Sequence, residues 1–301
     1  MNETISLFEG VPQSGGAVAV PAPINFDLHR YIKKTRGGKI KTAAKSKSGL
    51  AIKLTIFILL GLTVYGFLTF DYKDINLANA VTGTLRNIKV LFGQPRLKHS
   101  SMTGALRALV VTFSLGALAT IFGAIIGLFG SLLCARNIAN PIISNVVRSL
   151  VAFVRAVPTI LWVLIFTVAA GLGSVAAVIG LTFHSAGHLI KAYSESIEEM
   201  DAGTIEALKA SGASYWQIIF QAVLPSSISY MTAWTFLRFE INFNVALAIG
   251  AAAGAGGIGF DLFMAGNFYF DLRELGFLTY IIVVAVILLE LAATKVKEKV
   301  R

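Results

Sequence analysis

Four polar side chains recur at every second position, Arg238, Glu240, Asn242 and Asn244, inside a stretch that is otherwise mostly apolar. An ionisable group in hydrocarbon costs roughly 2.5–3.5 kcal/mol on insertion scales, so such groups pair or face a water-filled path. Arg238 and Glu240 are two apart and project from different faces of a regular helix, so they do not satisfy each other there. The alternation of Glu240, Asn242 and Asn244 suits a locally unwound segment lining a cavity. Two readings stand: a translocation path for a polar ligand, or hydrogen bonding between neighbouring spans.

Other candidate groups carry weaker chemistry. His184 and His188 are four apart, on one helix face, a spacing that metal sites use. No third ligand is evident nearby and H-E-x-x-H is absent, so polar packing is the expectation and no metal is expected. His184 next to Ser185 invites comparison with a hydrolase, but adjacent residues project differently around a helix, and no acidic partner motif supports it. Gly254–Gly259 reads G-A-G-G-I-G and matches G-x-G-x-x-G. It lacks a flanking βαβ unit, so Gly256 and Gly257 read as a hinge or re-entrant turn rather than a nucleotide loop. No G-x-x-x-x-G-K-S/T occurs, so any ATP-driven process needs a separate engine. The single cysteine, Cys134, excludes an internal disulfide and reads as a small packing residue.

The elements that must position these groups are membrane helices. Of the 301 residues 55% are hydrophobic and only 14% charged, whereas soluble domains carry about a quarter charged residues. About 20 apolar residues cross the hydrocarbon core. The apolar stretches fall at about 50–70, 105–135, 142–170, 174–192, 221–248 and 274–294, giving an all-α, polytopic membrane protein with about six spans. Residues 156–190 carry no formal charge, are too long for one crossing, and break at Gly171–Ser174 into two helices. Pro158 and Pro225 kink or end helices.

The net charge of +10 sits mostly in the flanks of these stretches, where it sets orientation and is no nucleic-acid signal. Residues 1–49 form a polar, basic arm whose first 28 residues read as loop-like rather than as a secretory signal. The basic residues from Arg30 to Lys53, and the tail Lys295, Lys297, Lys299 and Arg301, predict both ends cytoplasmic. The outer segment 71–103 opposes this with Lys73, Arg86, Lys89, Arg96 and Lys98, in smaller number. Leu85, Ile88, Val90 and Leu91 in it recur near helical spacing and predict a short amphipathic helix on the surface.

With this orientation residues 194–220 are a cytoplasmic loop between spans. Asp201 or Thr204 can cap a short helix carrying Ile205 and Leu208 on one face. Gly212 can end it in the left-handed conformation. Ser214 and Gln217 form a capping box opening the next helix. Glu195, Glu198, Glu199, Asp201 and Glu206 disfavour docking on anionic lipid, so a protein partner with a groove for a short helix is expected.

The string Glu206-Ala207-Leu208-Lys209-Ala210-Ser211-Gly212-Ala213, followed by Ile218-Ile219 and Leu224-Pro225, resembles the EAA loop of bacterial binding-protein-dependent importers, with Leu208 in place of the second alanine. Further stretches resemble the phosphonate-importer permease branch. They are Arg155-Ala156-Val157-Pro158 leading to Leu161-Trp162, His184-Ser185-Ala186-Gly187, Arg238-Phe239-Glu240-Ile241-Asn242, and Gly254–Gly259. The resemblance runs from about Ala105 to Leu262. It departs at Thr159, where an acidic residue is common, and at Phe243-Asn244, where a basic one is common.

The resemblance implies a type I ABC importer permease of methionine-permease-like architecture, translocating phosphonate, phosphite or a related small oxyanion. Glu206, Ala207, Leu208, Gly212 and Ala213 would couple to a cytoplasmic ATPase dimer. Arg155, Pro158, His184, Ser185, Arg238, Glu240, Asn242, Asn244, Gly256 and Gly257 would form pathway or gate. A binding protein outside and a second permease, copy or paralogue, complete the expected partners within the lipid bilayer. ATP and magnesium would sit on the ATPase, leaving this chain without cofactor or catalytic residue. Two alternatives are an ion-coupled carrier with Glu240 as proton site and an ABC permease for another small solute such as an amino acid. The carrier reading lacks the two related halves such carriers show and leaves the loop unexplained.

Overall fold

A computed structural model describes residues 47–70 and 76–300; residues 1–46 of the polar arm and the acidic residues Asp71 and Asp74 lie outside them, while the arm's last three residues open α1. Helices account for nearly all of the described residues, and no strand occurs among them. The chain divides into two units. The first contributes one described helix, α1 (Lys47–Thr69), which is apolar all round and buries none of its span. A helix of that pattern has lipid as its solvent.

The second unit contains α2 (Leu77–Gly93), α3 (Met102–Cys134), α4 (Pro141–Ala156), α5 (Thr159–Ala170), α6 (Ser174–Glu198), α7 (Ala202–Ala210), α8 (Tyr215–Ile218), α9 (Leu224–Ala252), α10 (Ile258–Asn267) and α11 (Leu272–Val300). Four helices, α1, α3, α6 and α11, are long and apolar enough to cross a membrane, and α4 with α5 makes a fifth candidate bent by 91°. The bend falls at Val157-Pro158, so the stretch expected as one span over 142–170 is two helices. Pro158 cannot continue α4 and steers the preceding residue out of the helical region, and Val157 is extended. Helix α9 has the length of a span, about 43 Å at 1.5 Å per residue, but its polar residues dilute its apolarity.

The bundle is organised around α3, which packs on α6 and α9, while α6 also packs on α4, α5 and α9. Close approach is possible because α3 presents a stripe of small residues, Thr112, Gly116, Ala119, Thr120, Gly123, Gly127 and Ser131, all buried. In lipid, where apolar burial gives no drive between helices, small residues let backbones meet. A side chain at Gly123 would strike Ser185, and one at Gly116 the backbone of Phe243.

The amphipathic helix expected over 71–103 is α2. It is not free on the surface: Val90 and Leu91 are half-buried, and the Leu91 carbonyl lies against Gly276 of α11. Tyr280 donates its hydroxyl to the Phe92 carbonyl at 2.8 Å. Beyond α2, Glu274 at the head of α11 is almost wholly buried, and its carboxylate accepts from the backbone N–H of His99 (3.0 Å) and Ser100 (2.8 Å) and pairs with His99 Nδ1 at 2.7 Å. His99 in turn stacks on Tyr269. Asp271 caps α11 by accepting from Arg273 N–H and Glu274 N–H. Desolvation opposes its ionisation, but these two donors and the cations Arg96 and Lys98 hold its carboxyl below the usual value. Asp271, Glu274 and His99 are close enough together to suggest a metal site. Both Glu274 oxygens are already engaged, so they read as a latch fastening the 94–101 loop to α11.

Candidate functional site

Two regions hold the residues singled out by sequence. The first is the loop after α6. Asp201 caps α7, its Oδ1 accepting from Gly203 N–H at 3.3 Å. Helix α7 ends in a Schellman arrangement, with Ala213 N–H donating to the Leu208 carbonyl and Gly212 N–H to the Lys209 carbonyl, both at 3.0 Å. Gly212 sits at φ +82°, the left-handed region this closure requires. Ser214 N–H donates to Gln217 Oε1 at 2.7 Å, opening α8. The chain then makes a π turn over Ile219–Val223 into α9. Its cause is Pro225, whose ring excludes the carbonyl four residues back.

This punctuation fixes which side chains face out. Ile205 is buried in a cluster with Leu132, Leu189, Ile197, Ile218 and Val223, and Leu208 and Ala213 pack at its edge. Glu206, Ala207 and Gly212 are exposed. So are Tyr215, Trp216 and Phe220, an aromatic row in which Trp216 stacks on Phe220. Tyr215 is nonetheless partly desolvated, which raises its hydroxyl pKa above the ordinary value. Among the described residues Glu206 makes no ion pair. Space around Gly212 is open, so Gly212→Val should cost only the left-handed backbone penalty, about 1–2 kcal/mol. Limited proteolysis should then detect fraying confined to residues 202–217, with the rest of the bundle protected.

The second region lies between α3, α6 and α9. Asn242 is fully buried; its Nδ2 donates to Thr120 Oγ1 at 2.8 Å, and its Oδ1 accepts from Ser185 Oγ at 2.9 Å. Ser185 Oγ also accepts from Arg238 Nε at 3.2 Å. Thr120 closes the chain on the Gly116 carbonyl at 2.7 Å. The unwound segment expected here is absent: α9 runs unbroken from Leu224 to Ala252. The every-second-residue pattern resolves instead into two pairs four apart on two helix faces. Arg238 and Asn242 face α3 and α6, where they find partners without unwinding. Glu240 is half-buried and Asn244 exposed, and neither hydrogen-bonds to another described residue.

The remaining candidates are placed around this network. His184, 7% exposed, precedes Ser185, and its ring lies 4.7 Å from that of His188. Arg155 lies at the end of α4, its stem across Gly187. Pro158 caps α5 at the 91° bend. Gly256 and Gly257 are not in the network. They form the turn from α9 into α10, at φ +76° and +79°, with Thr112 Oγ1 of α3 accepting from Ile258 N–H at 3.0 Å. Helix α10, Thr112 and Thr120 carry no role in the sequence reading. Their signal is the small-residue spacing along α3, which places 112, 116, 120, 123 and 127 on one stripe.

Known proteins resemble this chain in sequence and fold. The chain is 34% identical over 191 residues to the phosphate-import permease protein PhnE of Mycolicibacterium smegmatis, covering 63% of this chain and 35% of that protein. It is 34% identical over 158 residues to the phosphite transport system permease protein PtxC of Stutzerimonas stutzeri, covering 52% and 57%. The chain thus spans about a third and under three fifths of the lengths of these relatives. Among solved structures, the MetNI methionine ABC transporter in an inward-facing conformation matches with a TM-score of 0.61 at 24% identity, over 68% of this chain and all of the matched one, which establishes a shared fold. The model of the binding-protein-dependent transport system inner membrane component family matches residues 119–294, more than half of the chain, from the second half of α3 through α6, the exposed loop and α9. Several apolar spans, a bundle of this fold and a family match over its core have one meaning: the chain is a multi-pass membrane protein belonging to the binding-protein-dependent transport system inner membrane component family.

Proposed function

We propose that the chain is the permease subunit of an ATP-driven importer that moves phosphonate, phosphite or a related small phosphorus oxyanion inward. The observation that carries this reading is α7, a short helix capped at both ends, anchored by Ile205 and presenting Glu206 and Ala207 with no partner of their own. A helix so held and so exposed suits the groove of another protein. The ATPase dimer would sit there, holding ATP and magnesium, on the side where the basic flanks place both termini. A binding protein would deliver the ligand from the opposite side. The unpartnered face of Glu240 and Asn244 suits closure of a pathway against a second permease, copy or paralogue. The ligand class follows the names of the two relatives above and the basic character of the core, where Arg155, His184, His188 and Arg238 lie without carboxylate partners. That character disfavours a zwitterionic solute such as methionine.

The test is Glu206→Lys in the full chain coexpressed with an ABC ATPase subunit that copurifies with the unsubstituted chain. Because Glu206 is exposed and unpaired, stability should change by no more than about 0.5 kcal/mol. The copurified ATPase should fall about tenfold, the equivalent of 1.4 kcal/mol of binding. Undiminished copurification and ligand-stimulated ATP hydrolysis would remove the coupling role from α7.

A further inference from the structure

Four basic side chains gather along α6, on which α4 and α9 each pack. Arg155 comes from the last turn of α4, His184 and His188 from successive turns of α6, and Arg238 from the middle of α9. Gly187 allows the approach: a Cβ there would lie 3.4 Å from Arg155 Cγ and 3.0 Å from Val154 Cγ1. Both arginines lie close enough to act electrostatically on both histidines. His188 and Arg238 line one cavity of about 70 Å³, walled on a third side by Trp234.

The hydrogen-bonding capacity of this cluster is largely unused. His184 Nδ1 and Arg155 Nε are buried with no partner. Arg238 is 6% exposed, and of its guanidinium only Nε donates to a described residue, Ser185. Among the described residues the ion pairs are His99–Glu274, Arg148–Glu198 and Lys191–Glu195, so neither arginine is paired with a carboxylate. Glu240, nearest in sequence to Arg238, is two residues on and faces elsewhere. Two guanidinium charges, Arg238 buried and Arg155 half-buried, with open donors and no acid beside them, make a site whose missing component is an anion.

We propose that Arg155, His184, His188 and Arg238 form an anion site inside the helix bundle, which takes a tetrahedral phosphorus oxyanion. The preference for a compact anion rests on the cluster. The choice of phosphorus rests on the importer reading above. Two sources offer the same chemistry, a free oxyanion in transit and the headgroup phosphate of an anionic lipid. The site would hold the anion by planar guanidinium forks from α4 and α9, with imidazole donors from α6 between them. Because its ligands come from three helices and Arg155 adjoins the bend at Pro158, movement of α4 against α6 would open or close it.

The experiment uses the full chain in nanodiscs of phosphatidylcholine, with inorganic phosphate and phosphite as probes and ³¹P line broadening as the readout. Saturable binding is expected, weakened about tenfold or more by Arg238→Gln, Arg155→Gln and His188→Gln, as expected for loss of a charged donor. Arg238→Lys should restore part of it. Arg155 and His188 make no hydrogen bond to described residues, so their variants separate loss of the site from loss of fold. In nanodiscs with added phosphatidylglycerol, free phosphate as the ligand leaves binding unchanged. A lipid headgroup as the ligand lowers it, with phosphatidylglycerol retained in native mass spectra by the unsubstituted chain and not by the variants. Absence of both phosphate binding and lipid retention, or indifference of both to all three neutralising variants, overturns the site. If the ATPase copurifies while the variants change nothing, the site falls and the importer reading stands. If the variants abolish binding while no ATPase associates, the reverse holds.

Discussion

Replacing Asn242 by leucine is expected to lower the stability of the bundle by about 1–3 kcal/mol, because it leaves the buried Ser185 hydroxyl without an acceptor, at the cost of one unsatisfied group. Asn242, on α9, bridges α3 and α6 by hydrogen bonds: its amide donates to Thr120 Oγ1 and its carbonyl accepts from Ser185 Oγ. Leucine supplies neither group, and in a bilayer no water replaces them. Ser185 would lose the acceptor of its hydroxyl while still accepting from Arg238 Nε, so the position of the guanidinium should loosen as well. Thr120→Val removes one end of the same bond. The double-mutant cycle of Asn242→Leu with Thr120→Val should therefore be non-additive, with a coupling of about 0.6–1.7 kcal/mol, the span measured for hydrogen bonds between membrane helices. Thermal unfolding in detergent, followed by tryptophan fluorescence, reads all three variants. Additive effects would mean that the amide and the hydroxyl are neighbours without being bonded.

The network also shows what a linear sequence hides. Membrane embedding, the caps of α7 and the left-handed Gly212 are local properties, and composition, the Asp201 cap and the Gly212–Gln217 string suffice to find them. The path residues are different. Arg238, Glu240, Asn242 and Asn244 look like one alternating motif, and alternation suggests an extended chain. A helix with 3.6 residues per turn sorts them by fours instead, and the sorting is enforced by partners at Ser185 and Thr120, 57 and 122 residues away from Asn242. No local pattern announces those partners. The small-residue stripe of α3 was the available signal, since it says where a second helix comes close. The bend at Pro158 was visible as a proline, but its angle is set by packing of α5 on α6, where Gly180 meets the Val163 backbone at 2.6 Å from its would-be Cβ. His188 is a further case. Its spacing from His184 is one that metal sites use, but polar packing is the expectation, and the charged side chains acting on it are Arg238, Arg155 and Lys191.

The G-A-G-G-I-G turn should yield the steepest response to a single methyl group. Its glycines serve different physical ends, so alanine at each should give a graded series. Gly256→Ala meets no atom within 4 Å and carries only the penalty of φ +76°, about 1–2 kcal/mol. Gly257→Ala adds to a similar φ a collision with Thr112 Oγ1, the atom that accepts from Ile258 N–H, so it should also uncap α10 from α3. Gly259 has an ordinary backbone conformation, yet its Cβ would fall on the Leu247 carbonyl, with the Leu247 Cα only 2.9 Å away. That obstacle is helix α9 itself, not a movable side chain. Gly259→Ala should therefore be the most damaging of the three, costing about 3 kcal/mol or more, the upper range for overpacking. It should either prevent accumulation of folded chain or force α10 away from α9. Melting temperatures should fall in the order Gly256, Gly257, Gly259. If Gly259→Ala instead matches the unsubstituted chain while Gly256→Ala does not, backbone conformation, rather than the contact between α9 and α10, governs the turn. Because α10 lies between α9 and α11 and also touches α3, the glycine that admits it fixes the spacing of the helices that carry Asn242 and Thr112. A methyl group at Gly259 therefore acts on the polar network without touching it.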